Sequence, residues 1–286
     1  MIFDYLFNHN MKIAFTFISF VLPLLGSVMT ASGADKSDIV RVLAVGNSFS
    51  EDALDYYFHD ICKAAGKNVI VGNLYIGGCT IDRHVLNART DSAAYRFRRI
   101  GLDGATITAD PVTMSSGLGS DDWDFVSMQQ ASGVSGKYDS YANLGKLIAY
   151  VDSLTPDKTK LVWHQTWAYS PTSDHGEFSN YGSDQHAMYD SIMAASQRAM
   201  TENKALKLIV PVGTAIQNTR VAGGDPDLTR DGYHLNLLLG RYIASCTWFE
   251  AIFRESVVGN TFIPAGLSPE LARMAQEAAH AAVQNP

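Results

Sequence analysis

The chain has 286 residues, 47% hydrophobic and 18% charged, a balance that supplies a full core and excludes a disordered chain. With 22 basic against 29 acidic residues, a net charge of −7 and no basic run or stripe, it lacks the electrostatic footprint of a nucleic-acid-binding protein. Its 13 Tyr, 13 Phe and 4 Trp serve either a core or sugar-stacking surfaces in a cleft.

Lys12 precedes an apolar run from Ile13 to Leu25, and the small residues Ala31-Ser32-Gly33-Ala34 follow. That order is a signal peptide over residues 1–34, with cleavage expected after Ala34. The run is short and broken by Pro23, so no stable membrane span is expected after cleavage. Met11-Lys12 makes the better start of the leader, so an upstream, misassigned start over residues 1–10 is an expectation alongside a leader that begins at Met1. The mature chain, 35–286, is expected to be exported to the periplasm or secreted, as one domain with a C-terminal helix. Its cysteines, Cys62, Cys79 and Cys246, are odd in number. Cys62 and Cys246 lie in apolar helical patterns and are expected as buried thiols. No Cys/His cluster has zinc spacing, and His175, Glu177 and His186 match no known metal site, so neither metal nor cofactor is expected.

Ile39–Val45 reads as a buried strand, followed by a helix over Glu51–Lys67. Val69–Ile76 is the second strand, Gly77-Gly78-Cys79-Thr80 the turn after it, and Ile81–Phe97 a helix. The alternation from Ala105 to Ser115 suggests a hairpin outside the main sheet. Trp123–Gln130 is the third strand, Lys160–Trp167 the fourth and Leu208–Val212 the fifth. A long polar, aromatic loop spans Tyr169–Asp184, the kind of loop that often carries function. Helices are expected over Gln185–Asn203, Leu235–Phe253 and from Ser268-Pro269 onward. The fivefold alternation predicts an α/β fold, a three-layer sandwich around a five-stranded, mostly parallel, flavodoxin-like sheet. Sites in such sheets lie beyond the carboxyl ends of the strands.

Those ends carry Ser48 after the first strand, Gly77-Gly78 after the second, Gln129-Gln130 at the third and Asp231-Gly232-Tyr233-His234 after the fifth. Asp231 and His234 are spaced so that one turn brings the carboxylate to the imidazole Nδ1–H, leaving Nε2 to act as base toward a serine hydroxyl. Backbone N–H groups of Ser48 and Gly78 and one glutamine amide would hold an oxyanion. Alternation along a strand sends only one of Gln129 and Gln130 toward the site, and Gln130 is the favoured donor. Each motif alone has a blander reading: a helix cap, a turn, an unrelated histidine. The conjunction at successive strand ends is far more specific.

In these blocks the chain resembles the SGNH (GDSL-type) hydrolases over about Ile39 to Phe253. Gly46-Asn47-Ser48 is similar to their first block, Gly77-Gly78-Cys79-Thr80 to their second and Asp231-Gly232-Tyr233-His234 to their last. More narrowly it resembles the DUF4886 group of exported bacterial proteins, with their Gly-Asn-Ser-Phe start, Gln-Gln after the third strand and Asp-Gly-Tyr-His end. Asn47 stands where the wider family has Asp, and Gln129-Gln130 replaces the third block. The absence of Gly at position 50 disfavours the nucleophile elbow of the α/β-hydrolases. The resemblance implies a serine esterase acting through an acyl-enzyme on carboxylic esters, with O-acetyl groups on carbohydrate as the expected substrate. Ser48, Asp231 and His234 would be catalytic, Ser48, Gly78 and Gln130 the oxyanion hole, and Gln129, His164, Trp167 and Tyr169 substrate contacts. The alternative is a catalytically decayed carbohydrate-binding protein on the same scaffold.

Overall fold

The computed structural model describes residues 39–223 and 226–286. The expected leader therefore lies outside the described residues. Among these, strands β1 (Ile39–Gly46), β2 (Asn68–Tyr75), β3 (Tyr95–Ile100), β4 (Thr106–Val112), β5 (Phe125–Met128), β6 (Lys160–Gln165) and β7 (Leu206–Pro211) form one sheet in the order β4-β3-β2-β1-β5-β6-β7. The five parallel strands, β2-β1-β5-β6-β7, have the flavodoxin-like order. The sheet thus has seven strands, not five.

The two extra strands come from the stretch read as the end of a helix and an outlying hairpin. Helix α3 stops at Thr90, where Asp91 takes a left-handed conformation (φ 44°), and β3 begins at Tyr95. β3 pairs antiparallel with β2, and β4 extends the sheet by one more strand. Tyr95 and Ile100 are buried while Arg96, Arg98 and Arg99 are not, so basic residues hide the strand from a helical-period search. β4 is an exposed edge carrying Pro111, a residue that edges tolerate.

Helices α1 (Ser48–Leu54), α2 (Phe58–Ala64), α3 (Ile81–Thr90), α4 (Met114–Leu118), α5 (Leu144–Ser153), α6 (Gln185–Glu202), α7 (Val212–Ala222), α8 (Leu239–Phe253) and α9 (Pro269–Gln284) cover the two faces. The single helix expected over Glu51–Lys67 is two, separated at Asp55–Tyr57. Val42 and Ala44 of β1 enter one core with α1, α2, α7, α8 and α9; Leu43 and Val45 enter the other with α3, α4 and α5. This burial on both faces is why β1 reads as an unbroken apolar run. Cys62, Cys79 and Cys246 are all buried free thiols, and burial pushes Cys79 up to about 12.

Candidate active site

β1 ends at Gly46, where a Cβ would stand 2.4 Å from Ser50 Oγ, so only glycine lets α1 start this close to the strand. Asn47 caps α1 and is 2% exposed. Its Oδ1 accepts from Phe49 N–H (3.0 Å) and Gln129 Nε2 (2.6 Å), while its Nδ2 donates to the Cys79 carbonyl (3.2 Å). One amide thus ties together the ends of β1, β2 and β5. An aspartate could not donate to Cys79, so Asn47→Asp would leave a buried carboxylate facing that carbonyl. We expect a loss of about 1–3 kcal/mol of stability, read by urea unfolding.

Ser48, half-buried, opens the helix. Two residues on, Ser50 Oγ lies 2.8 Å from the Asn47 carbonyl and 2.9 Å from Asn73 Oδ1, and Asn73 Nδ2 donates to Asp55 (3.1 Å). Burial pushes Asp55 from 3.8 up to about 7, against the opposing pull of Arg98 at 3.6 Å and the Asn73 hydrogen bond. Between those two values the folded chain holds a proton that the unfolded chain releases. Stability from this group is therefore greatest below the unfolded value and declines as pH rises to about 7. Asp55→Asn should flatten that decline, so that Tm changes less between about pH 5 and pH 8 than in the parent.

His234 comes from a tight turn. Thr229 and Leu235 form an antiparallel bridge, and Arg230 N–H donates to the His234 carbonyl (2.9 Å). Gly232 sits at φ 85°, and its Cβ would stand 2.9 Å from Ser173, so the turn needs glycine on both grounds. Gly232 also accepts from Ser170 N–H (2.8 Å), which packs the long loop after β6 onto the turn. Asp231 Oδ1 accepts from His234 N–H (2.8 Å), and Asp231 Oδ2 lies 2.7 Å from His234 Nδ1. His234 Nε2 lies 2.8 Å from Ser48 Oγ. The carboxylate assigns the proton to Nδ1 and leaves Nε2 to accept from the serine hydroxyl. Burial alone would raise Asp231, but hydrogen bonds from the His234 side chain and from the His234 and Tyr233 N–H groups outweigh it and hold the carboxyl below its ordinary range.

What fixes this turn against Ser48 is Asp52, one helical turn further along α1. Its side chain is 1% exposed and accepts from Arg230 Nη1 (2.9 and 3.1 Å), Arg241 Nε (2.8 Å) and Leu235 N–H (3.0 Å). Arg230 also donates to the Leu235 carbonyl. One buried carboxylate thus joins α1, the turn and α8. The sequence reading missed it, although an acidic residue four positions after Ser48, on the face otherwise bearing Phe49 and Ala53, was a visible anomaly.

The expected oxyanion donors divide into two unpartnered N–H groups and one amide that is engaged elsewhere. Gly78 (φ 60°) stands in an open turn, and neither its N–H nor that of Ser48 has a hydrogen-bond acceptor among the described residues. Gln130 is turned away: its Oε1 accepts from Ile81 and Ala131 N–H, and its Nε2 donates to the Ser140 carbonyl and hydroxyl. It pins the loop after β5 to the start of α3, so its assignment as an oxyanion donor is corrected. Gln129 points under Ser48, between Asn47 and His164 Nδ1 (2.7 Å).

His164, Trp167 and Tyr169, expected to contact substrate, are fully buried behind the site. Burial pulls His164 down to about 3, so it is neutral and donates Nδ1–H to Gln129 Oε1. Trp167 stacks on Phe49 with ring centroids 3.9 Å apart, and its Nε1 donates to the Tyr233 carbonyl (2.7 Å). Tyr169 packs on Tyr233 and His175 and bonds Ser132 Oγ (2.9 Å). These rings support α1 and the turn that bears His234. Around His234 the partly exposed rings are Tyr233, at 4.1 Å between centroids, and His175, at 4.6 Å from Tyr233. Arg220 is likewise buried and donates to the Ala168 carbonyl (3.2 Å).

A family model described as a domain of unknown function, DUF4886, matches residues 41–282. A DUF4886 family protein from Bacteroides uniformis is 44% identical, with a TM-score of 0.85 over 87% of this chain and 96% of that one. A mutant of Axe2, an acetyl-xylooligosaccharide esterase from a Geobacillus, is 14% identical, with a TM-score of 0.50 over 76% of this chain and 95% of that one. At that identity the likeness is one of fold. No curated protein sequence matches the chain.

Proposed function

This chain belongs to the DUF4886 family, and we propose from its site that it is a serine esterase working through an acyl-enzyme. The observation that carries the reading is the unbroken row Ser48 Oγ–His234 Nε2 (2.8 Å) and His234 Nδ1–Asp231 Oδ2 (2.7 Å). Ser48 Oγ attacks the ester carbonyl carbon as His234 takes its proton. Asp231 holds the imidazole in register and stabilises the imidazolium. The oxyanion is held by the N–H groups of Ser48 and Gly78. Collapse expels the alcohol, which takes the proton back from His234. Water, deprotonated by the same imidazole, then attacks the acyl-enzyme and releases the acid.

The substrate reading is an O-acetyl group on carbohydrate. It is supported by the fold shared with an acetyl-xylooligosaccharide esterase and by the leader, which would deliver the chain outside the cytoplasm. The engagement of Gln130 elsewhere favours a second reading, a carbohydrate-binding protein with little or no turnover. A fluorophosphonate probe and p-nitrophenyl acetate separate the two. Labelling that maps to Ser48, together with hydrolysis, is expected for the esterase. A protein that binds sugar but is neither labelled nor active would be the second.

A further inference from the structure

A row of side chains runs sideways from the nucleophile across the sheet. In register, Gly46 of β1 is paired with Tyr75 of β2, and Tyr75 with Arg96 of β3. Directly paired residues share a face. That face is the one covered by α1, because a Cβ on Gly46 would meet Ser50. With strands about 4.8 Å apart, Arg96 stands roughly 10 Å from the end of β1, on the side of the Gly77-Gly78 turn. α1 sends Glu51, one turn after Ser48, to meet it: Arg96 Nη2 donates to Glu51 Oε1 at 2.8 Å. The Arg96 guanidinium lies 4.2 Å from the centroid of the Tyr75 ring. The Tyr75 hydroxyl stands 3.3 Å from where a Gly77 Cβ would be.

This cluster leaves hydrogen-bonding capacity unused. Among the described residues the Tyr75 hydroxyl and Glu51 Oε2 have no partner, and Arg96 gives only Nη2 to Glu51. The Arg96 side chain is 37% exposed and that of Glu51 20%, so both are reachable from solvent. The turn on this side contributes no side chain at positions 77 and 78, both glycine. Donors from Arg96, an acceptor on Glu51 and a hydroxyl on Tyr75 match a ligand whose groups both donate and accept. The Glu51 carboxylate opposes a phosphate or a carboxylate there.

We infer that Tyr75, Arg96 and Glu51 form a subsite for a neutral polyhydroxylated leaving group, a pyranoside bearing adjacent hydroxyls, beside the Gly77-Gly78 turn. This rests on the esterase reading for its link to turnover, but not for the binding itself. The pyranoside ester carbonyl lies at Ser48 while the sugar hydroxyls engage Arg96 and Glu51. Arg96 comes from the antiparallel hairpin that the chain adds to the parallel sheet, so specificity and chemistry have separate sources in the fold.

The test uses the Ser48→Ala protein and a panel of methyl hexo- and pentopyranosides, followed by ligand-observed NMR. At least one sugar is expected to bind, and Arg96→Met or Tyr75→Phe in that background should weaken it at least tenfold. In the protein with Ser48 intact, the same two substitutions should lower the ratio of kcat/KM for the monoacetylated glycoside to that for phenyl acetate at least tenfold. If no pyranoside binds, or if both variants bind as the parent does, the subsite is refuted. If sugars bind through Arg96 and Tyr75 but no ester is hydrolysed, the esterase reading falls and the subsite stands. Tyr75→Phe removes one hydroxyl, so the outcome does not depend on whether Arg96→Met folds.

Discussion

Ser48→Ala is expected to lower kcat for p-nitrophenyl acetate by about 10⁴-fold or more, with little change in KM. Removing the nucleophile of a serine relay takes away an interaction realised in the transition state, not in substrate binding. A factor of 10⁴ corresponds to about 5–6 kcal/mol of barrier. His234→Ala should fall into the same range, and the double variant should be no worse than either single one, because the two side chains act as a unit. Ser48 is half-buried and among the described residues makes its side-chain bond only to His234, so the variant should unfold at the parent temperature within a few degrees. Near-parental kcat in the serine variant would remove Ser48 from the chemistry and with it the esterase proposal.

Asp52→Asn is expected to act twice. It leaves two guanidinium groups facing a neutral amide in a buried place, at a cost of about 3–5 kcal/mol, which should be visible as a large drop in Tm. Held well below that Tm, the folded variant should still show a kcat reduced by roughly 10- to 100-fold with KM close to the parent. A loosened turn misplaces His234 by fractions of an ångström, and effects of that size follow from small misplacements. A purely structural role would change Tm alone, so the kcat of the folded variant separates the two. On the esterase proposal Asp52 touches no reacting atom and serves as a positioning residue for His234.

The parallel core of the fold was legible because β1, β2, β5, β6 and β7 are apolar runs separated by helices and turns, and the strand ends are where sites form. β3 was not, because Arg96, Arg98 and Arg99 interrupt the apolar pattern, and an edge hairpin needs burial on one face only. The residues brought together at the site, Ser48, Asp231 and His234, could be named because each is a motif with its own chemistry. Gln130 could not be placed from sequence, since a strand end tells which side chains alternate but not which partner a long amide finds in three dimensions. Trp167 and Tyr169 were misplaced for a related reason: an aromatic residue after a strand serves a cleft wall or a buried support equally well, and only the fold of the following loop decides. Asp52 went unread because its value lies in contacts with Arg230, Leu235 and Arg241, all more than 170 positions away.

α1 has seven residues, and Ser48, Glu51 and Asp52 on it and Asp55 at its C-cap stand at intervals that place them along one side. A helix of that length does not persist in water on its own. Its existence, and hence the aim of the nucleophile, is borrowed from the arginines, the asparagines and the turn that these four residues grip. The seven-stranded sheet has no such dependence, since its strands are held by their neighbours and by two cores. On the esterase proposal, activity is therefore expected to depend on a local unit that opens at lower free energy than the whole domain. On the same proposal, turnover is expected to fail while almost all of the structure remains in place.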